Sequence, residues 1–445
     1  MKRLFILFAL LAIIAMLSVS VASAQGNSQS YLVIANGNTN GLENRIERAG
    51  GVITNVIPEV GLIVVEASNA NFANSVNATV IPNFSVAGPQ PAEQVVADAI
   101  PQPPFTGDDD TFFDLQWGHT AVNAQEAWAA GQTGEGVRVF VLDEGFDMDH
   151  PDLLPNLNVG LSTSFVPLPG EGTPDYVLPD TFSHGTHVAG TIAAADNAFG
   201  VIGVAPDAEL VFVKVLSEIV GSGQFDWIVE GIIYAANNDA DVINMSLGTI
   251  IEQGQGQGSN EIAALRALMN RTFSYARQQG ATVVVSAGND ALDLDKTGSL
   301  INFLGDFPHV ISVSATGPVG WALDPVGADL FRQASYTNIG RSGVDVSGPG
   351  GDFVYPGNEA CALVVVAPCW AFDLVFSTGN GGWYWSAGTS MAAPHVAGVA
   401  AIIIGENGGS MHPAHVKREI ERRAQPINGN GNDPLYGAGA ASTGY

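Results

Sequence analysis

Apolar and polar positions follow one spacing up to about residue 88 and another after it. In the first part, short apolar runs are separated by two segments with helical spacing, and we expect strands over 31–34, 61–66 and 78–81 with helices over 41–49 and 71–76. This order, β-α-β-α-β at least, predicts a small α+β domain.

Beyond residue 112 the pattern becomes a regular alternation of buried strands and longer helices. We expect strands over 137–142, 210–216, 241–246, 281–286 and 310–315, and helices over 184–195, 225–238 and 261–279. Such alternation predicts an α/β fold, a parallel β-sheet flanked by helices on both faces. In sheets of this kind, functional residues collect where strands end in loops. Asp143, Ser246 and Asn289 stand at or just beyond predicted strand ends.

The two parts are joined by a segment rich in proline and acidic residues, which is typical of a linker that proteases can reach. The chain starts with basic residues, continues with an apolar run to Val21, and then reaches Ala22-Ser23-Ala24. This is the pattern of a secretory signal peptide cut after Ala24. A permanent membrane anchor is the alternative, but the small residues and the polar stretch after them favour cleavage.

These features divide the chain into four regions. We predict a signal peptide over 1–24, a small α+β domain over 25–88, a linker with a processing site over 89–112 and the main domain over 113–445. The protein would then be secreted, with no membrane association after signal cleavage.

Composition narrows the classes of function. The chain has 445 residues, 46% of them hydrophobic and 13% charged, which favours compact globular domains. Its formal net charge is −28, so a phosphate backbone would be repelled and we expect no nucleic-acid partner. The two cysteines, Cys361 and Cys369, predict one disulfide in an exported protein, with free buried thiols as the alternative.

A serine near the carboxyl terminus is the first candidate for chemistry. Ser390 follows Gly388-Thr389 and precedes an Ala/Val-rich run, which places it in the first turn of a helix. Free backbone N–H groups and the positive end of the helix dipole meet there. A serine in such a helix usually only packs or caps, so a catalytic role requires a base, an orienting acid and an oxyanion donor elsewhere.

Three residues could supply those groups. Asp143 closes a buried strand, His184 opens a helix, and Asn289 lies in a turn after a strand. Each has a simpler interpretation, since an aspartate can cap a turn and an asparagine often forms one. His184 and His187 could also ligate a metal, but further ligands for zinc are not apparent.

Taken together and in this order, these residues resemble those of the subtilisin-like serine proteases (subtilases). The resemblance spans residues 117–439. Its carriers are Leu142-Asp143-Glu144-Gly145, His184-Gly185-Thr186-His187, Asn244-Met245-Ser246-Leu247-Gly248, Ala287-Gly288-Asn289 and Gly388-Thr389-Ser390-Met391-Ala392. The order Asp, His, Ser is already known for this family, so it is not an independent result.

The resemblance implies a role for each residue in a secreted serine endopeptidase that acts on protein or peptide substrates. Ser390 would be the nucleophile, His184 the general base, and Asp143 the group that orients the imidazole. The Asn289 amide and the Ser390 N–H would form the oxyanion hole. A backbone edge would pair with the substrate as an added strand, formed by Ser246, Leu247 and Gly248.

The resemblance also implies that the α+β domain is a propeptide, an intramolecular inhibitor and chaperone removed by self-cleavage between about residues 105 and 115. It implies a calcium site that includes Asp152 and Asn197, in an oxygen-rich loop over 195–201, and no organic cofactor. The amino-terminal glutamine that ligates calcium in the family has no clear counterpart here.

One residue departs from the family pattern. Glu144 stands where a small hydroxyl residue is usual, and a carboxylate facing the site would raise the pKa of His184. Because Gly145 predicts a turn directly afterwards, we expect Glu144 to face solvent.

Other interpretations of the chain stay open. One is an acyl transferase or ligase that uses the same residues, and another is a catalytically inactive binding module.

We expect the Gln/Gly-rich segment 253–258 to be a flexible rim loop and 351–382 to be an insertion of unassigned role.

Overall fold

A computed structural model describes residues 28–35, 39, 41–88, 95–96, 107–179, 181–252, 259–298, 300–429 and 431–445. The predicted signal peptide, most of the predicted linker and the segment 253–258 lie outside the described residues.

The amino-terminal domain is an antiparallel sheet with two short helices. Its elements are β1 (Gln29–Ile34), α1 (Leu42–Arg48), β2 (Gly51–Ile57), β3 (Leu62–Ala67), α2 (Phe72–Ser75) and β4 (Thr79–Pro82). The strand order is β2-β3-β1-β4, and Ile46 and Phe72 bury the helices against one face. These residues combine helices with an antiparallel sheet, which is the arrangement expected of a small α+β domain, although the sequence pattern missed β2.

The remaining elements follow in chain order. They are β5 (Ser85–Ala87), β6 (Val95–Val96), α3 (Trp117–Ala121), α4 (Ala124–Ala129), β7 (Arg138–Asp143), β8 (Thr163–Ser164), α5 (His184–Ala193), β9 (Glu209–Lys214), β10 (Ser222–Gln224), α6 (Phe225–Asn237), β11 (Val242–Met245), β12 (Ile250–Glu252), α7 (Ser259–Gln279), β13 (Thr282–Ser286), β14 (Leu300–Asn302), β15 (Val310–Thr316), β16 (Val346–Pro349), β17 (Ala360–Ala362), β18 (Val366–Pro368), β19 (Val375–Gly379), β20 (Gly382–Ser386), α8 (Thr389–Glu406) and α9 (Pro413–Arg423).

A parallel sheet forms the centre of the main domain. Within the described residues it has seven strands in the order β16-β15-β13-β11-β7-β9-β8, all parallel. Its central strands are buried on both faces, which explains why they appear in the sequence as unbroken apolar runs. The predicted α/β fold is confirmed.

Helices cover both faces of this sheet. The hydrophobic core on one face includes α5 and α8, and the core on the other includes α6 and α7. Helix α8 is long and apolar enough to cross a bilayer by composition, but most of its residues are buried inside the protein. A helix that is apolar all round is what the centre of a large core requires.

The amino-terminal domain packs directly on the main domain. The ring of Phe84 stacks on that of Phe225 with centroids 4.9 Å apart, and Asn83 Nδ2 donates to Asp226 Oδ1 at 2.7 Å. Beyond this contact, β5 pairs antiparallel with β10, and the Gly88 N–H donates to the Gly221 carbonyl at 2.8 Å. The end of the small domain therefore lies on the main domain as an added strand.

The region around the cysteines contains two hairpins. Strands β17 and β18 form the first, and Cys361 and Cys369 are joined in a disulfide with an S–S length of 2.02 Å. The predicted disulfide is confirmed. Strands β19 and β20 form the second hairpin, which leads into α8. Much of the expected insertion thus builds the approach to Ser390.

Candidate active site

Asp143 and His184 meet at the carboxyl end of the central sheet. Asp143 is the last residue of β7 and is fully buried, and His184 is the first residue of α5. The His184 Nδ1 lies 2.8 Å from Asp143 Oδ1 and 3.0 Å from Oδ2. Its Nε2 has no hydrogen-bond partner among the described residues, so that side of the ring is available to a second group.

The surroundings of His184 favour its protonated form. Burial by itself lowers the pKa of the imidazole, but the charge of Asp143, its hydrogen bond and the charge of Glu144 outweigh that effect, and the pKa is raised. The ring is therefore well suited to accept a proton.

Ser390 is held in the first turn of α8 by a pair of bonds to the end of β11. The Ser390 hydroxyl donates to the Ser246 carbonyl at 3.1 Å, and the Ser246 hydroxyl donates to the Ser390 carbonyl at 2.8 Å. The Ser390 hydroxyl makes no hydrogen bond to His184 in this arrangement, and such catalytic bonds often form only when substrate binds.

Asn289 is tied to the same helix start. Its Oδ1 accepts hydrogen bonds from the Thr389 N–H at 2.9 Å and from the Thr389 hydroxyl at 2.8 Å. These bonds turn the amide nitrogen towards Gly388, where a Cβ would lie 3.4 Å from Asn289 Nδ2 and 3.5 Å from the Ser390 nitrogen. The Asn289 amide nitrogen and the Ser390 backbone nitrogen thus lie close to the same point beside Gly388.

The turn that carries Asn289 depends on Gly288, which belongs to the predicted motif, and on Asn338, which the sequence did not single out. Gly288 has φ +97°, and a Cβ there would lie 2.5 Å from Asn338 Nδ2. The buried Asn338 donates to the Ala287 carbonyl at 2.9 Å, and its Oδ1 accepts from the N–H groups of Asp290 and Leu292. Asn338 is about fifty positions from Asn289, and no local pattern marks it.

The predicted substrate edge follows β11 directly. Ser246 and Leu247 are buried, whereas Gly248 is half-buried, and a Cβ on it would have no neighbour closer than 4.0 Å. A main-chain edge with this much open space at Gly248 has room for another backbone.

The expectation that Glu144 faces solvent is wrong. Its side chain is half-buried, and Oε1 accepts a hydrogen bond from the His184 backbone N–H at 2.9 Å. The reason is that the first N–H groups of a helix lack partners within the helix, and the start of α5 lies next to the end of β7. Burial raises the pKa of Glu144 to about 7.

His187 does not join His184 in a metal site. It is fully buried, and its Nε2 lies 3.1 Å from the Tyr384 carbonyl and 3.2 Å from the Val375 carbonyl. Burial lowers the pKa of His187 to about 3, so the ring is neutral. The two histidines therefore differ, because His187 is bonded to backbone carbonyls through Nε2 whereas His184 is bonded to Asp143 through Nδ1.

Asp152 lies against the loop in which the calcium site was predicted. The carboxyl is buried, and its Oδ2 accepts from the Trp383 indole N–H at 2.7 Å and from the Val201 N–H at 3.0 Å. Its Oδ1 has no hydrogen-bond partner of normal geometry among the described residues, and the Asn197 side chain stands close to the carboxyl.

A second carboxyl group, missed in the sequence, faces the same loop. Asp110 is fully buried, its Oδ1 accepts from the Phe199 N–H at 3.0 Å, and its Oδ2 has no partner among the described residues. Carboxylate oxygens of four aspartates lie within 4.8 Å of one another, those of Asp108, Asp109, Asp110 and Asp196. Burial raises the pKa of Asp110 to about 8, with a further contribution from the neighbouring Asp108 carboxyl, and burial raises the pKa of Asp152 to about 6.

The sequence also matches known proteins. A model of the subtilase family matches residues 134–439. Subtilisin NAT of Bacillus subtilis subsp. natto is 36% identical over 330 residues, which are 73% of this chain and 69% of that protein. An intracellular serine protease of Paenibacillus polymyxa is 36% identical over 292 residues, which are 65% of this chain and 73% of that protein.

Among solved structures, the fold is similar to that of the epidermin leader peptide processing serine protease (EpiP) of Staphylococcus aureus. The TM-score is 0.74 at 22% identity, covering 94% of this chain and 97% of that one. This coverage extends well beyond the residues of the family match, so the similarity in fold includes the amino-terminal domain.

Proposed function

We propose that this chain, which belongs to the subtilase family and is a serine-type endopeptidase, is a secreted enzyme. Its proposed catalytic triad is Asp143, His184 and Ser390. The observation that carries the assignment is the His184 ring, bonded to Asp143 at 2.8 Å on one side and open at Nε2 on the other. Ser390 stands at the start of α8 with two N–H donors beside it.

The first half of the reaction forms an acyl-enzyme. The Ser390 hydroxyl turns from the Ser246 carbonyl to His184 Nε2 and gives up its proton as Oγ attacks the substrate carbonyl carbon. The oxygen of the tetrahedral intermediate becomes negative and accepts bonds from Asn289 Nδ2 and the Ser390 N–H. His184 then passes its proton to the leaving amine, and the peptide C–N bond breaks.

The second half releases the product. A water molecule gives a proton to His184 Nε2 and attacks the acyl carbon, and the proton returns to Ser390 Oγ as the ester bond breaks. Asp143 keeps its bond to Nδ1 and stabilises the imidazolium that forms in each half of the reaction. The start of α8 contributes its dipole to the developing oxyanion.

The substrates are proteins or peptides bound in extended conformation. An extended chain can pair with the backbone of Ser246, Leu247 and Gly248, as in other cases of strand addition. The β5–β10 pairing supports a related arrangement for the enzyme's own amino-terminal domain, because residues Ser85–Ala87 lie on the main domain as an antiparallel strand. We propose that this domain is a propeptide that inhibits the enzyme until the linker is cut.

A calcium ion fits the cluster near residues 195–201. Asp110 Oδ2 is a buried oxygen without a donor among the described residues, and carboxylate oxygens of Asp108, Asp109, Asp110 and Asp196 lie within 4.8 Å of one another. Asp152 and Asn197 border the same loop, where the Asn197 side chain bonds to the Asp152 carboxyl. Oxygen ligands of this type suit a hard divalent cation. Bound there, calcium would supply charge compensation and stability, with no part in the reaction.

Self-processing provides a test of the proposed function. In a protease-deficient host, the wild-type chain should lose its amino-terminal domain, and the Ser390→Ala variant should accumulate with the domain attached and should not hydrolyse peptides. Ser410→Ala, which alters an exposed serine, is the matched control and should mature normally. Maturation of Ser390→Ala at the wild-type rate would contradict the proposal.

A further inference from the structure

Two consecutive carboxylates hold His184 at two different points. Asp143 binds the imidazole at Nδ1, and Glu144 Oε1 accepts from the His184 backbone N–H at 2.9 Å. Asp143 Oδ1 also accepts a hydrogen bond from the Glu144 N–H at 2.8 Å. The carboxylate that binds the imidazole therefore also holds the backbone of Glu144. A negative side chain at the first N–H groups of a helix is favourable.

The close approach of Glu144 to α5 depends on two glycines. A Cβ on Gly185 would lie 3.1 Å from the Glu144 carbonyl and 2.8 Å from the Phe146 ring. A Cβ on Gly145 would lie 2.8 Å from the Tyr176 backbone. The segment after β7 is therefore packed tightly between the first turn of α5 and a neighbouring loop.

The charged and titratable groups around Glu144 come from four elements. His184 faces it from α5, Asp143 from β7, Glu218 from the segment after β9, and Tyr176 from the loop before α5. Lys214 is bound by Glu171 at 3.2 Å and Glu218 at 2.6 Å, so its charge is already compensated. The imidazolium of His184 is thus the cation that a charged Glu144 would act on.

We propose that Glu144 is a positioning residue for the catalytic base, which anchors the backbone of His184 and places a second negative charge beside the imidazolium formed in acyl transfer. The inference rests on the proposed function of His184. It assigns a role to the residue at which this chain departs from the family pattern.

The expected consequence is a change in pH dependence. His184 acts as a base only when neutral, and a negative neighbour raises its pKa, so Glu144 shifts the acid limb of kcat/KM to higher pH. Removing the charge should therefore extend activity to lower pH. Burial raises the pKa of Glu144 to about 7, and the charges of Glu144 and His184 act on each other, so the acid limb reports the pair.

The test uses two substitutions in the full chain, assayed after maturation. Glu144→Gln keeps an oxygen acceptor but no charge, and should move the acid limb of kcat/KM down by about one pH unit. Glu144→Ala removes both the oxygen acceptor and the charge. Its acid limb should move by the same amount, but its kcat should be about tenfold below that of Glu144→Gln, because the His184 backbone loses its hydrogen-bond acceptor.

Controls separate this inference from the proposed function. Asp175→Asn removes an exposed carboxylate near the same loop, and its pH profile should match that of the wild type because solvent screens the charge. A wild-type profile in Glu144→Gln, or equal kcat in the Gln and Ala variants, would overturn the role of Glu144. Failure of the wild-type enzyme to react with a fluorophosphonate would instead overturn the proposed function.

Discussion

Asn289 is anchored through its carbonyl oxygen and is available through its amide nitrogen. Because both donors to Oδ1 belong to Thr389, the hydrogen-bond network fixes which way the amide points. The same residue that positions Asn289 is the neighbour of Ser390. The proposed nucleophile, Ser390, and the proposed oxyanion donor, Asn289, are therefore set relative to one another by a single turn of backbone.

Asn289→Ala should lower kcat by about 10²- to 10³-fold with little change in KM, which is the size of effect known for removing an oxyanion-hole asparagine from a subtilisin. The loss arises because the oxyanion forms only in the transition state. Steady-state kinetics on a chromogenic peptide would check it. Thr389→Val keeps the Asn289 amide but loses the hydroxyl bond to its Oδ1, so this variant should show a smaller decrease in kcat. A normal kcat in Asn289→Ala would show that Asn289 is not part of the oxyanion hole.

At this scale the sequence predicted residue types and their order, but not the contacts of two acidic residues. The positions of Asp143 and His184 could be predicted because each lies at an end of a strongly patterned element. Glu144 could not, since its orientation depends on where the first N–H groups of α5 stand. Asp110 could not either, because it meets the loop near Phe199 only in the folded chain.

Helix α5 is placed by the hairpin that leads to Ser390. The Thr378 hydroxyl donates to the Thr186 carbonyl at 2.7 Å, and the Ser377 hydroxyl donates to the His187 carbonyl at 2.9 Å. The two elements can approach this closely because Gly190 has no side chain, and a Cβ there would lie 2.1 Å from Thr378 Oγ1. The position of His184 thus depends on β19.

Gly190→Ala should destabilise the protein by about 1–3 kcal/mol through overpacking, although alanine is the better helix former. Gly172→Ala is the matched control, because a Cβ there would have no neighbour within 4 Å, and it should change stability by less than about 0.5 kcal/mol. Urea unfolding in a Ser390→Ala background avoids self-digestion. Equal stabilities of the two variants would show that the α5–β19 contact is not tight.

Most long elements with a strong period were predicted well, but helix α9 (Pro413–Arg423) and several short exposed elements were missed. Helices α5, α6 and α7 and the central strands occur where apolar spacing predicted them. Strand β2 was missed because its residues are largely exposed or half-buried, so its alternation is weak. Strand β19 was missed because its polar residues bond to α5 and do not form an apolar run.

At the scale of the whole molecule, four aspartates lie together beside the loop at 195–201, namely Asp108, Asp109, Asp110 and Asp196. The chain has a net charge of −28, and Asp110 and Asp152 are buried. Burying a carboxylate whose charge no cation balances opposes folding, and a bound cation would remove that cost.

Calcium should therefore raise the melting temperature, and chelation with EDTA should lower it by a few degrees. Asp110→Asn should abolish most of the difference between the two conditions, whereas Asp149→Asn, at an exposed position outside the cluster, should retain it. Differential scanning calorimetry of the Ser390→Ala background would measure both. Identical melting temperatures with calcium and with EDTA would reject the site.

The overall architecture could be predicted because a chain of alternating strands and helices has few possible folds. The order of the motifs then indicated one family of proteins with such a fold. The pairing of β5 with β10 could not, since neither strand has a distinctive pattern and they are 135 or more positions apart. Contacts between domains depend on complementary surfaces that no single segment encodes.

Covalent labelling tests most directly whether Ser390 is a nucleophile activated by His184. Mature wild-type enzyme treated with an organofluorophosphonate should carry one covalent adduct, located on Ser390 by peptide mass spectrometry. Ser390→Ala processed in trans by the wild-type enzyme and then purified should carry none, and His184→Ala prepared in the same way should react far more slowly. An adduct on another residue, or equal labelling of Ser390→Ala, would contradict the assignment of Ser390 as the nucleophile.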